Sequence, residues 1–176
     1  MTAGAAAPDA ATPGRDVQAV VFNLGDETFA LPVGTVREIL DHRGAFRMPQ
    51  GPEWLVGLID VRGEAIPMVD LRIRLGLPAA AVGVTTRVLV VDVPAADGPG
   101  GGRLLTLGLI VDRVLDVAEF PAASIETTPD IGVRWRSDYI EGVVRRTNGF
   151  VVLLAASNIF SAEDGTLAFP DIDQAA

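Results

Sequence analysis

Pro52-Glu53-Trp54-Leu55-Val56-Gly57-Leu58-Ile59-Asp60-Val61-Arg62-Gly63-Glu64-Ala65-Ile66-Pro67-Met68-Val69-Asp70-Leu71 is the stretch on which the fold turns. Two apolar runs flank Arg62-Gly63, a two-residue connection containing glycine, and that pattern predicts a β-hairpin with an arginine at its tip. The chain carries an echo of it. At the shift that takes Trp54 to Tyr139, Trp54-Leu55-Val56-Gly57-Leu58-Ile59 lies over Tyr139-Ile140-Glu141-Gly142-Val143-Val144, and Ala65-Ile66-Pro67-Met68-Val69 lies over Phe150-Val151-Val152-Leu153-Leu154 without a gap. An earlier segment, residues 30–39, repeats at residues 108–117. The order of the matches and the aligned Gly57 and Gly142 indicate a duplicated β-unit. Its period is well above the roughly 20 to 50 residues of a solenoid repeat.

A chain of 176 residues can bury roughly 70% of its unfolded surface without disulfide or metal staples. Hydrophobic residues make up 49%, but Pro, Gly or a charge interrupts every apolar run before the roughly 18 residues of a membrane-spanning helix. There is no cysteine, and residues 1–16 are rich in Ala and Pro without a basic start or an apolar segment. They read as a flexible tail, not a secretory signal, so the cytoplasm is the expected compartment. The formal net charge of -9 and scattered arginines oppose binding to nucleic acid or to an anionic membrane surface.

Along the chain, the alternating runs at residues 17–24 and 27–33 around Gly25-Asp26 predict a first hairpin, with Val20, Phe22, Leu24, Phe29, Leu31 and Val33 facing inward. Residues 34–40 leave it as a bent strand or a helical turn. Residues 52–55 predict one helical turn, and residues 71–77 a short helix ended by Gly76 and Pro78. The small-residue segment 79–85 is the expected boundary between copies. Strands at 87–93 and 103–111 follow, separated by a glycine-rich loop that lacks the Gly-Lys-Ser/Thr ending of a phosphate loop. Residues 121–136 read as a long loop, residues 137–140 as a second helical turn, and Asn148-Gly149 as the turn of the last hairpin. Residues 156–163 predict a terminal helix and residues 164–176 a second flexible tail. Short alternating strands at this spacing predict a mainly β protein of two small barrels side by side, one about residues 17–78 and the other about 86–155, within a domain at 17–163.

The residues of catalysis are missing. His42 is the single histidine and lies in a charged loop. No Gly-x-Ser-x-Gly elbow stands ready to use it, and without cysteine there is no thiol mechanism or cysteine-ligated zinc site. Asp26-Glu27 and Glu163-Asp164 sit at a turn and near a terminus, without the opposed environments that acid/base work needs. Asp70 and Asp112 follow apolar strands and read as turn caps or arginine partners. No enzyme, cofactor or metal is expected. Val36, Ile39, Val114 and Val117, duplicated at the outer ends of equivalent segments, form either the packing between the two units or a groove suited to an amphipathic helix.

Six pieces in order give the chain a resemblance to the CheW-type coupling proteins of bacterial chemotaxis: Leu24-Gly25-Asp26-Glu27, Val36-Arg37-Glu38-Ile39, residues 57–64, residues 66–72, residues 108–114 and residues 139–143. The likeness covers about residues 16–163. It departs from the family pattern at Asp60-Val61-Arg62-Gly63, where Asn-Leu-Arg-Gly is common, and at Ala155, where Asp is common. The resemblance implies two SH3-like five-stranded barrels and a non-enzymatic adaptor between chemoreceptor tips and the regulatory domain of a CheA histidine kinase. It places the chain in the cytoplasm, at membrane-associated receptor arrays. Matching receptor-binding positions are Val36, Glu38, Gly57, Arg62, Val114 and Val117, while kinase-facing residues are not mapped. The valines would supply apolar burial, Arg62 a charge-assisted bond and Gly57 room for close backbone approach. The rival readings are a stand-alone β-barrel sensor with a small ligand between its units and a hydrolase built on His42.

Overall fold

In the computed structural model the described residues are 15–94, 104–127 and 139–160. The chain order is β1 (Val17–Leu24), β2 (Glu27–Pro32), a 3-10 turn at Val33–Thr35, β3 (Val36–Asp41), β4 (Leu55–Val61), β5 (Glu64–Asp70) and α1 (Leu71–Arg74). Then come β6 (Arg87–Pro94), β7 (Leu104–Val111), β8 (Arg113–Phe120), a 3-10 turn at Ala122–Ser124, β9 (Ile125–Glu126), β10 (Ile140–Arg146), β11 (Gly149–Leu154) and α2 (Ala156–Ile159). The expected 52–55 helical turn is a single hydrogen-bonded turn, Leu55 N–H to the Pro52 carbonyl at 3.0 Å. The last hairpin turns at Thr147-Asn148, with Gly149 already in β11. Residues 1–14 of the first tail, the second tail, the glycine-rich loop, most of the 121–136 loop and half of the second helical turn lie outside the described residues, as does α2's predicted extension beyond Phe160.

Strands form two sheets, ordered β8-β1-β2-β11-β10-β9 and β3-β6-β7-β5-β4. Two-residue β9 adds a sixth strand to one of the two expected five-stranded units. Each sheet draws on both halves of the chain. The first takes β1 and β2 from residues 17–78 and its other strands from the second half; the second takes β6 and β7 from residues 86–155 and β3, β4 and β5 from the first half. The expectation of one barrel per contiguous copy is therefore corrected. The physical cause is the parallel junction that ends each unit: β11 pairs with β2 (Leu153 opposite Ala30) and β5 with β7 (Met68 opposite Gly108).

The duplication nevertheless reappears in detail. Those two parallel registers are the same register at the sequence shifts given above. The β-bulge at Arg37 of β3 has its duplicate at Leu115 of β8, and that at Val56 of β4 has its duplicate at Glu141 of β10. Asp70 N–H donates to the Trp54 carbonyl at 2.8 Å, and Ala155 N–H donates to the Tyr139 carbonyl at 2.9 Å.

Three apolar clusters explain the strand composition. Val17, Ala19, Val21, Val151 and Leu153 fill the inside of the first sheet; Ile66, Met68, Val88, Val90 and Ile110 fill the second. Between the sheets lies a third cluster, the seam, which takes Val20, Phe22, Leu24, Phe29 and Leu31 from one side and Leu89, Val91, Leu107 and Leu109 from the other. β1 and β6 are thus buried on both faces, which requires runs of Val and Leu instead of strict alternation. The residues expected to face inward on the first hairpin face the seam, except Val33, which is exposed.

Candidate functional site

The tip of the β4–β5 hairpin is Arg62-Gly63, and both residues have positive φ, 52° and 83°. Two positive values are what a tight turn needs to match the twist of its strands, and Arg62 adopts one despite its side chain. Asp60 supports the turn by accepting the Gly63 N–H at 2.8 Å. The side-chain oxygen of an asparagine can accept the same bond, so the Asp60 departure leaves the turn intact and changes its charge.

The Arg62 side chain is 80% exposed, yet its Nη1 lies 2.9 Å from Glu38 Oε2. Two predicted site residues, Glu38 and Arg62, are therefore partners of each other. Their bond brings the hairpin tip against β3 across the open side of the second sheet. Beside them, Arg37 at the β3 bulge donates twice to Asp92, at 3.0 and 2.9 Å, and lies 3.5 Å from Glu64. The result is a rim of alternating charges on the β3 edge.

Val36 opens β3 and Val114 lies near the start of β8, and both are partly buried against the seam cluster. Farther out, Ile39, Leu115 and Val117 are exposed apolar side chains, Val117 at 48%. The predicted residues thus divide: Val36, Glu38, Gly57 and Arg62 belong to the second sheet, and Val114 and Val117 to the edge strand of the first. Leu115 is the apolar residue that sequence reading missed. Its signal was present in the repeat, where an exposed leucine stands over the charged Arg37.

At Gly57 the chain's own backbone makes a close approach. A Cβ at Gly57 would fall 2.8 Å from the Phe46 carbonyl carbon and 3.1 Å from Arg47 Cα. Phe46 and Leu58 exchange backbone hydrogen bonds here, each 2.8 Å. The room is filled by the chain's own backbone, because a segment must cross the bulged strand to close the unit. Gly142 repeats the arrangement, facing Ile125 and Glu126 of β9.

Behind the rim, the Asp70 carboxylate caps α1 by accepting Arg72 N–H at 3.0 Å. It also accepts the Arg72 guanidinium twice at 3.0 Å. Arg72 Nη1 donates to Asp112 at 2.7 Å, and the other Asp112 oxygen accepts Gly25 N–H at 2.6 Å. Both carboxylates do what their sequence positions predicted. Hydrogen bonding to Asp70 raises the Arg72 pKa above the ordinary arginine value despite the cost of burial, with the Asp70 and Asp112 charges adding to it. Among the described residues no group of three or more His, Cys, Asp or Glu side chains could hold a metal ion. The surface thus combines partly buried apolar side chains near the seam with an exposed arginine bonded to Glu38.

The chain matches the CheW-like domain family over residues 18–164. It is 30% identical over 151 residues to the chemotaxis protein CheW of Rhizobium meliloti, covering 86% of this chain and 90% of that one. It is 29% identical over 153 residues to the CheW of Bacillus subtilis, covering 86% and 92%. Among solved structures, the scaffolding protein TtCheW from Thermoanaerobacter tengcongensis superposes with a TM-score of 0.71 at 26% identity, covering 83% of this chain and 93% of that one.

Proposed function

The chain belongs to the CheW-like domain family, and from that membership we propose that it is an adaptor joining chemoreceptor tips to the regulatory domain of a CheA-type histidine kinase. The family is one of non-enzymatic chemotaxis scaffolds. The observation that supports the finer reading is the rim on which Glu38 and Arg62 meet, on the same strand as Val36, which packs against the seam. A receptor hairpin helix seated there contacts Val36, Val114 and Val117 with its apolar face. A receptor carboxylate or carbonyl takes over the outer N–H groups of Arg62. Gly57 contributes shape, by letting the Phe46 segment lie flush.

Each such contact is weak alone, and the strength of an array comes from many receptors, kinases and adaptors held together. The chain acts in the cytoplasm at membrane-associated arrays. No helix among the described residues is long and apolar enough to cross a membrane. The reading of a stand-alone sensor is not favoured, because Phe22, Leu24, Leu107, Leu109 and Phe160 fill the space between the sheets. Isothermal titration of the full chain with a kinase regulatory-domain fragment and with a receptor-tip fragment tests the proposal. Binding to both, without mutual exclusion, is expected; binding to neither overturns it.

A further inference from the structure

Among the described residues the most exposed aromatic side chain is Phe46, at 79%. Its backbone is nevertheless pinned. Phe46 and Leu58 exchange N–H to carbonyl bonds of 2.8 Å on the side of β4 that faces away from β5, and β4 is the edge strand of the second sheet. Phe150, the other exposed ring, lies under the Arg145 guanidinium at 5.6 Å, and Glu126 holds that arginine at 3.0 Å. No ring or guanidinium among the described residues covers Phe46 in this way.

The surroundings of Phe46 are basic. Residues 42–51 hold Arg43 and Arg47, both exposed, and no carboxylate. Arg43 donates to the Asp60 carbonyl at 3.4 Å, and neither it nor Arg47 has a carboxylate partner among the described residues. Asp41, next along the chain, is paired with Arg87 at 3.4 Å. In a chain of net charge -9, an open ring between two unpaired arginines is a local exception. It fits a segment that is acidic and apolar at once.

The chain supplies such a segment. Residues 161–176 contain Glu163, Asp164, Asp171 and Asp173 together with Leu167, Phe169 and Ile172, and no Lys, Arg or His. They also start close by. The Phe160 ring meets Trp54 edge-on with centroids 6.5 Å apart, and Trp54 immediately precedes β4. Four residues separate Trp54 from Leu58, about 13 Å of extended chain, whereas Phe169 can reach about 30 Å from Phe160. A tether over such a gap gives an effective concentration on the order of millimolar, so weak contacts suffice. Residues 1–14 offer one carboxylate, Asp9, and no aromatic ring.

We propose that residues 163–173 dock on the β4 edge, with Phe169 against Phe46 and the flanking carboxylates on Arg43 and Arg47. The docked segment covers an edge strand that is otherwise open to pairing with another chain. This concerns the chain by itself and does not rest on the adaptor reading.

The chain has no cysteine, so Gln174→Cys in the full chain takes a single nitroxide spin label, whose broadening of amide signals is read by nuclear magnetic resonance. Residues 43–47 and Leu58 are expected to lose about half of their signal or more, as a segment bound about half the time gives. Phe46→Ser with Arg47→Ser, both at exposed positions, restores the signal. Phe169→Ser restores it as well, without touching the docking surface. Broadening centred elsewhere, spread evenly over the surface, or unchanged by both variants overturns the proposal. A mixture of isotopically labelled chain without the nitroxide and nitroxide-bearing chain without the isotope separates the sources. Broadening of residues 43–47 in that mixture assigns the site to a second copy and overturns docking by the chain's own segment.

Discussion

Replacing Arg72 by methionine keeps most of the apolar stem and deletes the guanidinium that spans Asp70 and Asp112. Three hydrogen bonds disappear, two at 3.0 Å to Asp70 and one at 2.7 Å to Asp112. Two carboxylates then lose their cation. Removing one member of a buried pair costs roughly 3–5 kcal/mol, chiefly because a buried charge is left uncompensated. The lower end applies here. Asp70 keeps the N–H groups of Arg72 and Ile73, at 3.0 and 3.4 Å, Asp112 keeps Gly25 N–H, and the Asp112 side chain is 23% exposed. A loss of about 3 kcal/mol lowers Tm by about 6–12 °C for a chain of this size. In urea, with a slope of about 2–3 kcal/mol per M, the midpoint falls by about 1–1.5 M. Because the Arg72 pKa is raised, its contribution is full at every pH below the ordinary arginine range and is lost only as pH rises above it. The loss on substitution is therefore the same at pH 7 and at pH 9. A midpoint shift under about 0.3 M would refute the reasoning. So would a double-mutant cycle with Asp112→Asn that shows strict additivity, since directly bonded groups couple by about 0.5–3 kcal/mol.

Two further outcomes follow from the rim and from the crossing glycines. Arg62→Ala leaves stability within about 1 kcal/mol, because its bond to Glu38 is exposed, and weakens binding of a receptor-tip fragment about tenfold; unchanged affinity by calorimetry removes Arg62 from the docking surface. Gly57→Ala drives a Cβ into the Phe46 backbone and costs about 2 kcal/mol or more. Gly142→Ala meets the Ile125 Cγ2 methyl and, at 3.2 Å, the Glu126 carbonyl oxygen, a side-chain clash instead of a direct backbone one, and costs about 1 kcal/mol; the reverse order in chemical denaturation contradicts the steric account.

Repeats, hairpins and caps are local patterns, and these the residues disclose. Arg62-Gly63 between two apolar runs has one economical geometry, and Asp70 ahead of Leu71 reads as a cap, as found. The repeat aligned Gly57 with Gly142 without showing why the glycines are there. Their reason is a contact with Phe46 on one side and Ile125 on the other, across a loop whose length leaves many paths open. Strand partnership escaped for the same cause. β1 and β6 are apolar on both faces, so hydrophobic pattern alone cannot say which face looks into a barrel and which into the seam. The duplication pointed to Val36, Val114 and Val117 and the resemblance added Glu38, Gly57 and Arg62, while the Arg62–Glu38 bond and the exposed Leu115 emerged only when the strands were assembled.

Neither half of this chain owns a finished barrel. A polypeptide ending near residue 80 would carry one hairpin with nothing to complete and three strands with nothing to complete them, so it could satisfy both only by trading with a second such piece. A half-length chain of this topology would complete both sheets only as a strand-exchanged pair.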